Sequence, residues 1–236
     1  MREETQFRPK PMVNIGGEPL LWHIMRVFAN HGHCDFIICS GYKKEFIEDY
    51  FESATWAKKG AELSARFPPV GAPERDWTVT VVDTGLSTQT GARVKQIQDY
   101  TGDERFFASY GDSLADVDVT GLLQTHKRRG LASTVTLAHP TSRFGVANLD
   151  SSGLVRGFRE KPVLEEFVSI GFFVFEPTIF SLLDDHSVLE EAPLRTLAEQ
   201  KRLGSFEHNG YWQAVDTYRE LVQVQELWNA GNAAWI

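Results

Sequence analysis

Phe106-Phe-Ala-Ser-Tyr-Gly-Asp-Ser-Leu-Ala-Asp-Val-Asp118 decides how the rest of the chain is read. Phe106 to Tyr110 has the character of a buried strand, and Gly111 breaks it. Three carboxylates follow within seven residues: Asp112, Asp116 and Asp118. A strand that ends in Gly-Asp places a carboxylate at the carboxyl edge of a sheet, where open α/β sheets bind ligands. A hard cation such as Mg²⁺ takes one or two carboxylates plus substrate phosphates at such a place. Read alone, Gly111-Asp112 serves equally as a turn and helix cap.

The flanking sequence alternates helices with short apolar strands. Pro19 suits the first turn of a helix, and Leu20, Leu21, Ile24, Met25, Val27 and Phe28 give it a broad apolar face. His31-Gly-His33 ends that helix; a metal motif there is the lesser reading beside a glycine stop. Asp35–Ser40 reads as a strand and Glu45–Phe51 as a helix, an order that fits crossover units around a parallel sheet. Trp77–Val82 alternates as a strand, and a Thr-Gly turn at Thr90 leads into a helix near Val94 to Tyr100. Residues 53–76 have weak periodicity and many breakers, including Phe67-Pro-Pro-Val-Gly-Ala-Pro73, so they read as an irregular insertion and a candidate oligomer contact.

Beyond the opening stretch, Leu122–Arg129 is predicted helical and Leu131–Ala138 a strand. Arg143–Leu149 and Val155–Glu160 flank Asp150-Ser-Ser-Gly153, a hairpin signal that makes the sheet mixed. Phe172–Phe175 is a buried strand, followed by helices over Pro177–Leu183, Leu189–Gln200 and Tyr218–Ala230. No repeat and no flexible linker divides the 236 residues, so one domain spans 1–236.

A net charge of −8 opposes nucleic-acid binding and gives no attraction to an anionic membrane. Any phosphate site must be a local basic pocket. Cys34 and Cys39 flank an apolar run and read as core residues in a reducing compartment. No apolar run approaches the roughly 20 residues that span a bilayer. The polar start Met1-Arg-Glu-Glu-Thr-Gln6 lacks a signal-peptide pattern, so a cytoplasmic protein is expected.

Asp112 and Asp216 lie at strand ends, while Lys10 and Lys161 lie beside prolines. Each is weak alone. Together they suit phosphoryl or nucleotidyl transfer, which needs positioned cations more than covalent help. Arrangements for Ser, Cys or His nucleophilic catalysis are not evident.

The ordered set Pro9-Lys-Pro-Met-Val13, Ile15-Gly-Gly-Glu-Pro-Leu-Leu-Trp22, Thr90-Gly-Ala-Arg93, Tyr110-Gly-Asp112, Arg143-Phe-Gly145, Glu160-Lys-Pro162, Gly171-Phe-Phe173 and Asp216-Thr217 resembles the nucleoside-diphosphate-sugar pyrophosphorylases. It is most similar to their glucose-1-phosphate cytidylyltransferase branch and covers nearly the whole chain. The resemblance implies a Rossmann-like nucleotidyltransferase (GT-A-like) fold, three-layer α/β/α with a mixed, mostly parallel sheet. It implies transfer from CTP to glucose 1-phosphate, giving CDP-glucose and pyrophosphate in nucleotide-sugar supply for polysaccharide (O-antigen) biosynthesis. Another nucleotide or sugar, and a catalytically impaired binding relative, stay open as alternatives.

Carried over by position, Lys10 would contact the nucleotide phosphates, and Asp112 and Asp216 would hold Mg²⁺. Lys161 would grip the sugar phosphate, with Glu160 near the sugar hydroxyls. Thr90, Gly91 and Arg93 would belong to the region around the nucleotide base, and Gly111 would bind substrate. Ser169 and Gly171 would belong to the sugar side, where Ser169-Ile170-Gly171 replaces the family's Asn-Gly and leaves the sugar open. A homo-oligomer, such as a hexamer, is implied. The family also opens with a strand and a glycine-rich loop ending Gly-Thr-Arg, upstream of the residues matching Arg2-Glu-Glu-Thr5. Truncation relative to the family, through a misplaced start codon or a truncated gene, is the expectation.

Overall fold

Strand Val168–Phe175 is buried at each of its last six positions and organises the fold. Phe172 and Val174 enter one core cluster, while Phe173 and Phe175 enter another. Both faces of the strand are therefore covered, which is why it reads as a continuous apolar run. The computed structural model describes residues 7–52, 56–59, 62–67 and 75–236.

In chain order the strands are β1 Asn14–Ile15, β2 Glu18–Pro19, β3 Asp35–Ser40, β4 Trp56–Lys59, β5 Glu62–Phe67, β6 Arg75–Asp83 and β7 Phe106–Ser109. They continue as β8 Ser113–Ala115, β9 Ser133–Ala138, β10 Val146–Leu149, β11 Val155–Arg159, β12 Val168–Phe175, β13 Leu203–Glu207 and β14 Trp212–Ala214. The α-helices are α1 Leu20–Ala29, α2 Glu45–Glu52, α3 Thr90–Gln96, α4 Gln98–Thr101, α5 Val119–Arg129, α6 Ala192–Glu199 and α7 Tyr218–Asn229. Lys10–Met12 and Pro177–Leu182 form 3₁₀ turns.

Two four-stranded sheets carry the fold, in the orders β13-β9-β12-β7 and β3-β6-β5-β4. All ten residues of α1 are buried. Its Leu20, Ile24 and Phe28 pack with the β12 sheet, while Leu21, Trp22 and Met25 pack with β3 and β6. A helix buried on all sides is a core helix, and this one joins the two sheets. Helices α3 and α6 lie on the other face of β12, completing three layers.

Three expectations are corrected. Among the described ladders only β3–β6 and β9–β13 run parallel, and the others are antiparallel. The sheet is mixed, but parallel pairing does not dominate it. Hairpins and strand returns supply most partners, and these need no crossover helix. Second, residues 53–76 are not irregular throughout: β4 pairs with β5, and β5 pairs antiparallel with β6. The free edge of β6 supplies hydrogen bonds that local periodicity does not reveal. The run 68–74, with its prolines, and Arg2-Glu-Glu-Thr5 lie outside the described residues. Third, Pro9 and Pro11 favour extended backbone around Lys10 on sequence grounds, yet Lys10–Met12 turns as a 3₁₀ helix. Pro9 stays extended as its N-cap and Pro11 sits in the first turn, where a missing N–H costs little.

Strand β13 was not read from the sequence. It pairs parallel with β9 through Leu203↔Ser133 to Glu207↔Leu137. The glycine and polar residues of Leu203-Gly-Ser-Phe-Glu207 hide a strand whose stability comes from its partner.

Candidate functional site

The carboxylates of Asp112 and Asp216 converge although 104 positions separate them in the chain. The β8–β14 ladder explains the approach. Ser113 pairs with Ala214, and the Val215 N–H then donates to the Asp112 carbonyl at 2.8 Å. Asp112 thus sits one residue and Asp216 two residues beyond the Ser113–Ala214 pair, in a register fixed by the buried side chains Leu114, Ala115 and Val215. Lys10 completes the cluster: its Nζ donates to Asp112 Oδ2 at 3.0 Å and also to Asp216 Oδ1.

The placement of Lys10 follows from its neighbours. Met12 N–H donates to the Pro9 carbonyl at 2.8 Å, and Met12 and Val13 are buried. The ring of Pro11 lies against Gly111, where a Cβ would meet Pro11 Cγ at 2.9 Å. Gly111 therefore works by letting the Lys10 turn approach Asp112. Burial alone would lower the Lys10 pKa. The Asp216 hydrogen bond and the charge of Asp112 outweigh it, so the pKa stands above the ordinary lysine value.

Asp216 has its own scaffold. Glu220 Oε2 accepts from the backbone N–H of Asp216 at 2.9 Å and of Thr217 at 2.8 Å, while Thr217 Oγ1 accepts from Glu220 N–H. This is a capping box at the start of α7. Arg143 donates to Glu220 at 2.9 Å and stands 3.8 Å from Asp216. Arg143 and Glu220 were not singled out as site residues, although the Thr-x-x-Glu spacing at 217–220 is visible in the sequence.

Thr90 and Arg93 border a cavity of about 910 Å³ that also touches Lys10, Tyr110 and Asp112. Thr90 donates to Glu190 at 2.8 Å, and Tyr110 donates to the other oxygen of Glu190. Arg93 spends its guanidinium on the carbonyls of Ser40 and Gly85, each at 3.0 Å, and on Thr84. It locks the carboxyl ends of β3 and β6. Gly91 is buried where a Cβ would meet the Ser187 carbonyl at 2.8 Å, so it serves close packing. Tyr110 and Glu190 were missed, because Glu190 lies 100 positions from Thr90 with no local pattern to announce it.

The remaining predicted residues stand apart from this cluster. Lys161 and Glu160 follow β11 at the end of an isolated two-stranded arm. Their side chains are 48% and 67% exposed, and their charged atoms lie 4.0 Å apart. No described contact brings either to Lys10, Asp112 or Asp216. Lys161 holds φ +45°, a conformation that costs a non-glycine residue energy. Gly171, at φ +83°, lies against the Tyr110 ring, and exposed Ser169 accepts from the Gly171 N–H at 3.4 Å.

Other sequence expectations resolve simply. Asp118 caps α5 by accepting from Gly121 N–H. His31 bonds Thr120 and His33 packs on Phe107. Cys34 and Cys39 are half-buried thiols. Burial pushes the Cys39 thiol up to about 11, so it is no nucleophile near neutral pH. No group of three or more His, Cys, Asp or Glu gathers at one point among the described residues. The fit of a hard cation to Asp112 and Asp216 is still good. Both carboxylates already enclose one positive nitrogen, and phosphate or water oxygens would supply further ligands.

The sequence pattern of the nucleotidyl transferase family matches residues 4–230. The chain is 41% identical over 245 residues to the glucose-1-phosphate cytidylyltransferase of Salmonella typhi, covering 100% of this chain and 93% of that protein. It is 38% identical over 240 residues to the probable glucose-1-phosphate cytidylyltransferase of Bacillus subtilis (strain 168), covering 100% and 94%. In structure, apo UDP-glucose pyrophosphorylase matches with a TM-score of 0.70 at 16% identity, covering 98% of this chain and 94% of that one. HddC from Yersinia pseudotuberculosis matches with a TM-score of 0.67 at 18% identity, covering 93% and 90%. At such identities the structural likeness concerns the fold, here a Rossmann-like α/β sandwich. Matched along nearly all its length, the chain belongs to the nucleotidyl transferase family.

Proposed function

We propose that this protein transfers a cytidylyl group from CTP to glucose 1-phosphate, forming CDP-glucose and releasing pyrophosphate. Likeness to glucose-1-phosphate cytidylyltransferases over the whole chain supports the substrates. The observation that carries the chemistry is Lys10 held between Asp112 and Asp216. In this reading Lys10 moves from the carboxylates to the phosphate oxygens around the α-phosphorus. Asp112 and Asp216 would hold Mg²⁺, which supplies charge neutralisation at the phosphates when bound. A phosphate oxygen of glucose 1-phosphate attacks the α-phosphorus, and the bond from that phosphorus to pyrophosphate breaks. Lys161 and Glu160 would serve the sugar phosphate, and the positive φ of Lys161 supports a role beyond structure. Thr90, Gly91, Arg93 and Gly111 belong to the nucleotide side, and Ser169 and Gly171 to the sugar side.

The test is pyrophosphate release from Mg²⁺, glucose 1-phosphate and a panel of nucleotides. CTP is expected to react fastest, whereas preference for UTP or dTTP reassigns the nucleotide. No release from any nucleotide overturns the activity. A second reading is binding without turnover. Calorimetry with CTP separates the two, since binding without release supports the second. We also place the protein in the cytoplasm as a homo-oligomer. Exposed Phe144, Leu149, Leu154, Val155 and Phe158 on the β10–β11 arm offer a contact surface. A monomer by sedimentation at micromolar concentration removes that part of the proposal.

A further inference from the structure

Glu220 makes more contacts than a helix cap needs. In a capping box the carboxylate reaches back to the backbone at the N-cap, and one oxygen suffices. Here Oε2 does this alone, accepting from the N–H of Asp216 at 2.9 Å and of Thr217 at 2.8 Å. The second oxygen, Oε1, is left for Arg143, whose Nη2 donates to it at 2.9 Å. That same nitrogen stands 3.8 Å from Asp216 Oδ2, while Lys10 takes the other oxygen of Asp216.

The arginine is rooted in the base of the β10–β11 arm. Ser142 N–H donates to the Pro162 carbonyl at 2.9 Å, Leu164 N–H donates to the Pro140 carbonyl at 2.9 Å, and Thr141 bridges Val163. Ser142 Oγ also donates to the Phe144 carbonyl at 2.8 Å and accepts from the Phe144 N–H at 3.1 Å, which holds the backbone on both sides of Arg143. Pro162 directly follows Lys161. A path of three hydrogen bonds therefore runs from the residue after Lys161, through Ser142-Arg143 and Glu220, to the backbone of Asp216.

Stability gives little reason for this link. The Arg143 side chain is 62% exposed and that of Glu220 13%. An ion pair with one partner in solvent contributes little, and holding a long side chain in place costs rotamer freedom. What the pair secures is geometry, because arginine keeps its charge and presents planar donors to a carboxylate.

We propose that Arg143 is a positioning residue that ties the Lys161 arm to the Asp216 turn, so that the two halves of the site keep a fixed separation. The inference rests on the nucleotidyl-transfer reading, in which Lys161 meets the sugar phosphate and Asp216 the cation. Two phosphates must then meet in line, and an error in the distance between their holders costs rate as well as affinity. The rival role is direct capture of the sugar phosphate by the exposed guanidinium. It makes the opposite prediction for Glu220, since removing that charge would free Arg143 for phosphate.

Glu220→Gln decides between the two. Glutamine keeps the capping box but loses the charge that holds Arg143. With CTP, glucose 1-phosphate and Mg²⁺, Arg143→Ala and Glu220→Gln should each raise KM for glucose 1-phosphate about tenfold and lower kcat about threefold. Urea midpoints should stay near native. The double variant should be no worse than either single one, because both cut the same link. Arg143→Lys, which keeps a charge beside Glu220, should recover most of the loss. Calorimetry of glucose 1-phosphate, with Mg²⁺ and the non-cleavable α,β-methylene analogue of CTP already bound, should show the same loss of about tenfold without turnover. Binding by Glu220→Gln as tight as native, or tighter, overturns the proposal and makes Arg143 a direct ligand. Native kinetics in both variants, additive losses in the double variant, or losses that track a falling urea midpoint overturn it too. If the native protein itself releases no pyrophosphate from any nucleotide, the nucleotidyl-transfer reading fails and the proposal falls with it, a result visible before any substitution is made.

Discussion

Lys10 and Lys161 look alike in the sequence, each a lysine beside proline, and the fold treats them oppositely. Lys10 stands on a turn whose next residues are buried, and it touches two carboxylates set by a paired ladder. Lys161 stands at the end of an exposed arm that, among the described residues, forms a two-stranded sheet of its own, with a bridge, Thr141↔Val163, at its base. Core packing can preassemble one half of a site while the other half waits on a mobile-sized element with little buried area. Under the proposed function the two halves would do different work: charge stabilisation at a fixed point, and capture of a substrate that brings its own binding energy.

The largest effect should come from the preassembled half. Asp112→Ala is expected to lower kcat by about 10³-fold, the scale of losing a positioned charge-stabilising group. Circular dichroism should stay native, because Asp112 is only half-buried. Turnover at the native rate would remove Asp112 from the cation site and dissolve the contrast with Lys161.

Next comes the frame beneath Lys10. His23 is fully buried on α1; its Nε2–H donates to the Ile15 carbonyl at 2.9 Å, and its Nδ1 accepts from Trp235 at 3.2 Å. Burial pushes its pKa down to about 4, against the opposing Ile15 bond. The folded protein therefore resists a proton that the unfolded chain accepts below about 6.5. Stability should fall as pH drops from 6.5 towards 4, by on the order of 3 kcal/mol. Urea midpoints at pH 7 and pH 4 measure it, and His23→Gln should flatten that part of the profile. An unchanged midpoint in the native protein would show that the frame does not depend on neutral His23.

The arm should respond differently. Lys161→Ala is expected to cost about 10²-fold in kcat/KM for the sugar phosphate, carried largely by KM, with the nucleotide KM little changed. A fall in kcat as deep as that of Asp112→Ala would place Lys161 in the preassembled half after all.

The contrast also separates what the sequence could and could not reveal. Asp112 was legible because a buried strand ends there, and Lys10 because prolines stiffen its segment. The reason they meet was not legible: the Ser113↔Ala214 register joins two segments far apart in the chain. Strand β13 and the pairing of β4 with β5 were hidden for the same reason, since an edge partner rather than side-chain alternation stabilises them. Glu190 and Tyr110 meet only in three dimensions. Local signals such as the Asp118 cap and the α7 capping box could be read directly, since their donors and acceptors lie within three residues.

The smallest effect tests how tightly the fixed half is set. Gly111→Ala would put a methyl group 2.9 Å from Pro11 Cγ and 3.4 Å from Pro11 Cβ. The proline ring cannot rotate away, so the Lys10 turn must retreat by a few tenths of an ångström. Misplacement by about 1 Å can cost about 10²-fold, so a loss near tenfold is expected here. Pro11→Ala removes the obstructing Cγ. Combined with Gly111→Ala it should restore most of the rate, with a coupling of about 1 kcal/mol in the double-mutant cycle. Additive losses would mean that the retreat of Lys10 is not the cause. Gly111 would then act through substrate contact, and the two lysines would differ less in how they are held than in what they touch.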